Sequence, residues 1–173
     1  MTVRDGPLQL AVVSGGARKH GSQVIQRDFI LRLIDQLGEF LRELLGAGSG
    51  ATIVEKQDFN VAEAEGALEK SCRQALGLSL QTIRDMAPDE VVQLFRSGGA
   101  TWSSRCFFAA RIFEFEAQIA TRNKELERAR LSAERALYFY SLVRSNPEVP
   151  AEYQVEERVE TVTKLLRQTI SSR

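Results

Sequence analysis

From Ser22 onward, apolar residues return at intervals of three and four with polar residues between them. That spacing puts them on one face of a 3.6-residue helix, so the chain predicts a succession of amphipathic helices. The first is expected from about Ser22 to Leu45. Ile30, Leu33, Ile34, Leu37, Leu41 and Leu44 form its stripe, widened by Phe29 and Phe40. Asp28, Arg32, Asp35, Glu39, Arg42 and Glu43 take the opposite arc. Full burial of each large apolar side chain is worth roughly 1.5–3 kcal/mol, so the stripe needs a partner surface. One such partner is a second copy of the same helix, with Ile30, Ile34, Leu37, Leu41 and Leu44 as the dimer face. Gly38 costs about 1 kcal/mol relative to alanine in mid-helix, which fits a position where another backbone comes close. Gly46 is expected to cap this helix, and the stretch from Gly46 to Lys56 is a loop.

Asn60, with Glu63 three residues later, opens a second helix. Ala64, Leu68, Cys72, Ala75 and Leu76 line its inner face, and Gly77 ends it. Ser79 caps a short helix carrying Leu80, Ile83 and Met86. Pro88 suits the first turn of the next, with Asp89 and Glu90 at the positive end of its dipole. Val91, Val92, Leu94 and Phe95 pack it, and Gly98-Gly99 stops it. Ser103 or Ser104 is expected to cap the most apolar helix. Phe108, Ile112, Phe115 and Ile119 make one ridge of that helix, and Ala109, Phe113, Ala117 and Ala120 a second. A helix apolar on two sides belongs in the middle of its domain. Asn123 is expected in the left-handed turn that follows. The next helix, from about Glu125 to Arg144, carries Ala129, Ala133, Ala136, Leu137 and Tyr140. A last helix is expected from Ala151 to about Ile170. All four prolines, Pro7, Pro88, Pro147 and Pro150, fall at breaks in these patterns, as the missing N–H of proline requires.

The pattern therefore predicts one all-α domain over residues 24–173, with six or seven helices in antiparallel hairpins. Residues 1–23 show no helical period and read as a flexible or loosely docked tail. A natural start at Val24 is a second expectation for this stretch, tested by whether peptides from Thr2 to Gln23 occur in the native protein.

Composition narrows the classes of function. At 43% apolar and 27% charged, the chain is ordinary for a globular domain. Its 23 basic and 23 acidic side chains cancel, whereas nucleic-acid binders draw affinity from a basic excess; no nucleic-acid partner is expected. Two cysteines, Cys72 and Cys106, make neither a disulfide framework nor a metal motif. No apolar run is long enough to span a bilayer, and Leu8 to Val13 is too short for a secretory signal. A cytoplasmic protein without membrane contact is expected.

Candidate chemistry is sparse. Gly16 and Gly21 have the spacing of a phosphate-binding loop, but Ser22 stands where its lysine belongs. His20 is the only histidine, which removes two-histidine zinc sites and leaves Cys72 and Cys106 without an imidazole base. Glu114 and Glu116, like Glu125 and Glu127, are two apart and do not face each other on a helix; these and Glu156, Glu157 and Glu160 read as solvated. Arginines from Arg105 to Arg135 interleave with glutamates, the pattern of salt-bridged faces. No catalytic, cofactor-binding or metal-binding residue is expected. Trp102 reads as an N-terminal staple and Phe107, Tyr138 and Phe139 as core. Left exposed together, they would form with Arg111 an interaction surface. An enzyme or ligand carrier would instead need a pocket with converging polar groups such as Arg111, Glu114 or Tyr140.

Ala129, Ala133, Ala136 and Leu137 resemble the second helix of a tetratricopeptide repeat, where small residues recur at four and three. Three further segments, Ile25–Leu31, Ala67–Leu78 and Arg105–Arg130, resemble a bacterial helical family classed as a domain of unknown function, over residues 24–170. The resemblance implies a tetratricopeptide-like right-handed array and carries over no functional residue. The function expected from it is a non-enzymatic protein-interaction or scaffold module of a bacterial cytoplasm with a protein or peptide partner. The alternatives are a small-ligand-binding protein or enzyme with a pocket between helices, and a homodimer built on the first helix.

Overall fold

The computed structural model describes residues 17–44, 60–99, 101–144, 146 and 149–171. These residues form seven α-helices and one turn of 3-10 helix, with no strand among them. The helices are α1 (Ala17–Leu44), α2 (Val61–Leu76), α3 (Leu80–Asp85), α4 (Pro88–Ser97), α5 (Trp102–Arg122), α6 (Leu126–Arg144) and α7 (Val155–Ser171). The 3-10 turn, Ala151–Tyr153, precedes α7.

Local signals set most boundaries. The Asn60 side chain accepts a hydrogen bond from the Glu63 N–H at 3.2 Å and starts α2, and Gly77 ends it at φ +72°. Ser79 caps α3 through the Thr82 N–H at 3.0 Å. At α4, Pro88 fills the first turn and the Glu90 carboxylate accepts from the Ala87 N–H at 3.1 Å.

Four boundaries differ from the sequence reading. Helix α1 begins at Ala17, so the backbone of residues 17–23 is helical; residues 1–16, the rest of the expected tail, lie outside the described residues, as do Gly46 and the loop to Lys56. Thr101, with no side-chain cap, starts α5; Ser103 and Ser104 lie inside the helix, and the Ser104 hydroxyl pairs with that of Tyr153 at 3.0 Å. The left-handed residue after α5 is Lys124 (φ +61°), because Asn123 still bonds helically to the Ile119 carbonyl. The Glu125 and Lys124 N–H groups then close on Ala120 and Thr121 as a Schellman turn. Gln154, at φ +50°, breaks the last helix from the 3-10 turn before it.

Helix α5 is the centre, in contact with α1, α2, α4, α6 and α7. It is buried without interruption from Cys106 to Ala117. Its longest packing is on α6, where Glu116 meets Arg128, Phe113 meets Phe139, and Phe107 meets Tyr140. Numbers rising on one helix while falling on the other define an antiparallel hairpin. Ala129, Ala133 and Ala136 are fully buried along α6, where side chains this small let helices approach closely.

The stripe of α1 is satisfied inside the chain. Ile30, Ile34 and Leu37 are buried, and α1 packs on α2 and α5. These three residues are therefore core and not a free dimer face; the side chains of Leu41 and Leu44 lie outside the description. Gly38 does not meet a backbone either. A Cβ built there would have the Phe115 ring at 3.7 Å and Arg111 Nη2 at 3.8 Å as its nearest neighbours, both side chains.

Candidate functional site

The position of α5 forces an unusual problem on three of its residues. Arg111, Glu114 and Glu116 lie in the buried run, at 5%, 0% and 2% exposure. The solvated reading of the two glutamates is thus corrected: α5 has neighbours on so many sides that little solvent-facing arc remains. A buried charge is tolerated only when paired and hydrogen-bonded, and each of these charges is.

Glu114 is held from several helices. Arg111, one turn earlier, donates Nη1–H to its Oε2 at 2.6 Å. The Tyr140 hydroxyl of α6 donates to the same oxygen at 2.5 Å. Gln118 Nε2 lies 3.4 Å and Arg158 Nη1 of α7 3.6 Å from Oε1. The Arg111 guanidinium also sits 4.3 Å over the Phe115 ring. Burial works against the charge of Arg111, but the Glu114 carboxylate beside it outweighs that and holds its pKa above the ordinary value. Burial, then the Glu114 charge, pushes the Tyr140 hydroxyl well above its usual range, so it stays a donor.

Glu116 points to another side of α5 and joins different elements. Its Oε1 lies 2.8 Å from Arg84 Nη2 of α3 and 3.1 Å from Arg128 Nε of α6. Arg128 reaches on to Glu125 at 3.0 Å and to Glu65 of α2. Glu116 Oε2 has no hydrogen-bond partner among the described residues. The Arg84 contact is close but off hydrogen-bond alignment, since Nη2 also lacks a bonded partner by angle. This cluster fastens α2, α3, α5 and α6 together.

The first cluster borders a cleft through Arg111. This cleft, of about 490 Å³, lies between α1, α5 and the start of α7. Arg111 and Phe107 line it from α5, Tyr153, Gln154 and Arg158 from the α7 side, and Ile34, Gly38 and the polar arc of α1 from the other. Four arginines, Arg32, Arg42, Arg111 and Arg158, line it against two carboxylates, Asp35 and Glu39. The size suits a small ligand. Phe107 and Tyr153 stack at 4.0 Å between ring centres and make a rigid wall.

The five residues that exposure would have made an interaction surface are not exposed together, and Phe107 and Phe139 are core as their helical spacing suggested. Phe107 (3%) and Arg111 (5%) of α5 are buried beneath the Tyr153 turn and α6, and Phe139 (0%) of α6 is buried against Phe113 of α5. Tyr138 is half-buried and its hydroxyl donates to Asp89 of α4. Trp102 is half-buried beneath the Arg96 guanidinium, 5.1 Å from the ring centre. Arg111, Glu114 and Tyr140, by contrast, do converge. Missed by the sequence reading were Arg158, Gln154 and Tyr153, which reach the cleft only through the packing of α7; no local pattern marks them. A signal for the burial of Glu114 existed: it lies between Phe113 and Phe115 on a helix apolar along two ridges.

Both thiols are fully buried. Burial chiefly pushes Cys72 and Cys106 up to about 12, which keeps them protonated. Among the described residues, no group of three or more His, Cys, Asp or Glu is placed to hold a metal ion. No described helix is long and apolar enough to cross a membrane. Comparison of the chain with protein-family models, with curated proteins and with solved structures gives no match.

Proposed function

We propose that this protein is a non-enzymatic binding module that takes a small ligand in the cleft between α1, α5 and α7. One observation carries the reading: Arg111 is 5% exposed, anchored by Glu114 and Tyr140, and still part of the cleft wall. A fixed charged donor on the wall of a cleft is what ligand recognition needs, since its orientation is settled before binding. The same fixing disfavours proton transfer, because Arg111 and Tyr140 both hold their protons strongly.

The protein-interaction reading draws on the exposed apolar side chains Phe29, Leu94, Leu131 and Ile170. They come one from each of four helices, α1, α4, α6 and α7, and so support a docking strip less well than the cleft supports a ligand. The buried alanines of α6 are the support for a tetratricopeptide-like stacking of the hairpins.

A fragment screen followed by amide NMR tests the cleft. Hits are expected to move the signals of Gly38, Arg111, Gln154 and Arg158 together. Hits that map reproducibly to α4 and the outer face of α6, leaving those four signals still, would transfer the function to another surface.

A further inference from the structure

Within the cleft, and resting on its assignment as the binding site, we infer that the ligand is recognised by an oxyanion, carboxylate or phosphate, held between Arg111 and Arg158. One carboxylate, Glu114, positions both guanidinium groups, through its Oε2 at 2.6 Å for Arg111 and its Oε1 at 3.6 Å for Arg158. The two contacts differ in kind. The Arg111 bond is short and buried. The Arg158 contact is an ion pair too long for a good hydrogen bond, made by a side chain that is 34% exposed. Arg158 has donors to give to a ligand without breaking a strong bond.

Gly38 supplies an independent observation. It sits inside α1, in the last two turns, and lines the cleft, where a Cβ would rest 3.8 Å from Arg111 Nη2. Any side chain there would cover the guanidinium edge that faces α1. The absence of one leaves that edge open to the cleft, which accounts for a residue that otherwise weakens its helix. Arginine presents donors in a planar fork that matches carboxylate and phosphate oxygens. The carbon body of such a ligand would lie on Leu31, Ile34, Phe107 and Tyr153, the apolar part of the lining.

The test uses benzoate, phenyl phosphate and the neutral analogue benzyl alcohol as probes, with binding followed by NMR shifts of Gly38 and of the Arg111 and Arg158 side chains. At least one anion is expected to bind in the cleft and benzyl alcohol at least about tenfold more weakly, the discrimination expected of charge-assisted hydrogen bonds. The preferred anion separates a carboxylate site from a phosphate site. Arg158→Gln is expected to weaken that anion about tenfold and Arg158→Lys to restore part of it. Gly38→Leu is expected to abolish binding while the fold, read from the amide spectrum, persists. Benzyl alcohol binding in the cleft as tightly as the anions, or anion binding indifferent to Arg158→Gln, would overturn the oxyanion assignment and leave the cleft as the site. No cleft response to any probe at high millimolar concentration would overturn both.

Discussion

Replacing Arg111 by methionine removes one partner from a nearly dry ion pair and leaves the other in place. The pair has side chains 6% and 0% exposed and a 2.6 Å contact. In Arg111→Met, Glu114 keeps the Tyr140 hydroxyl at 2.5 Å, with Arg158 only at 3.6 Å. Breaking a buried pair from one side costs about 3–5 kcal/mol, because a desolvated charge is left uncompensated. A domain of this size has roughly 5–15 kcal/mol of net stability, so the loss is large but need not unfold it. At about 2–4 °C per kcal/mol, melting should fall by about 6–20 °C. Glu114→Gln should cost a similar amount by stranding the guanidinium. The double variant Arg111→Met/Glu114→Gln carries no buried charge at this place, and glutamine still offers Tyr140 an acceptor. Its stability should lie within about 2 kcal/mol of the parent. Urea unfolding of all four proteins, with equal slopes as the check on two-state behaviour, gives the coupling. If the double variant loses as much as the two single losses added together, Arg111 and Glu114 are not coupled and do not form a buried ion pair.

Further outcomes follow from the same contacts. Gly38→Ala should stabilise the protein by about 0.5–1 kcal/mol through helix propensity, since its Cβ meets neighbours only at ordinary contact distances of 3.7 and 3.8 Å; thermal melting that falls would mean the space is tighter than the structure has it. Cys72 and Cys106 have pKa values raised to about 12 in the folded state, so the unfolded chain releases these protons first and stability must decline as pH rises from about 9 toward 12. Each thiol contributes a slope of roughly 1.4 kcal/mol per pH unit in that window, Tyr140 adds to the loss above about pH 10, and Cys72→Ala/Cys106→Ala should flatten the decline measured by urea unfolding. The same burial predicts that Ellman's reagent leaves both thiols unmodified at neutral pH until denaturant is added; rapid native labelling would contradict it. Lys124→Gly, at φ +61°, should raise stability by about 0.5–1 kcal/mol because glycine has no Cβ penalty there, and a fall in the urea midpoint would count against the Schellman turn.

The helices were legible because their causes are local. Asn60, Gly77, Ser79 and Pro88 each act within one turn, and the three-and-four spacing of apolar residues carries over directly into buried faces, as Ile30, Ile34 and Leu37 do on α1. The central place of α5 was legible too, since two apolar ridges need partners on two sides. Errors arose where a residue suited to a cap or turn was not the one the helix ended on. Asn123 is the commoner left-handed residue, but the helical bond to Ile119 held it in line and moved the turn to Lys124. Ser103 and Ser104 are good caps, yet α5 already starts at Trp102 and the Ser104 hydroxyl meets Tyr153 instead.

The sequence by itself determined that this chain makes amphipathic helices, where most of them begin and end, and that α5 is their centre, because propensity, capping and periodicity are encoded within a few residues. Only the tertiary structure decided that Glu114 and Glu116 are buried, that Arg111 is clamped on a cleft wall, and that Arg158 joins it from 47 positions further along. Those outcomes depend on which helices surround α5 and on where α7 returns, and desolvation of a charge is a property of that whole enclosure and not of the residue that bears it.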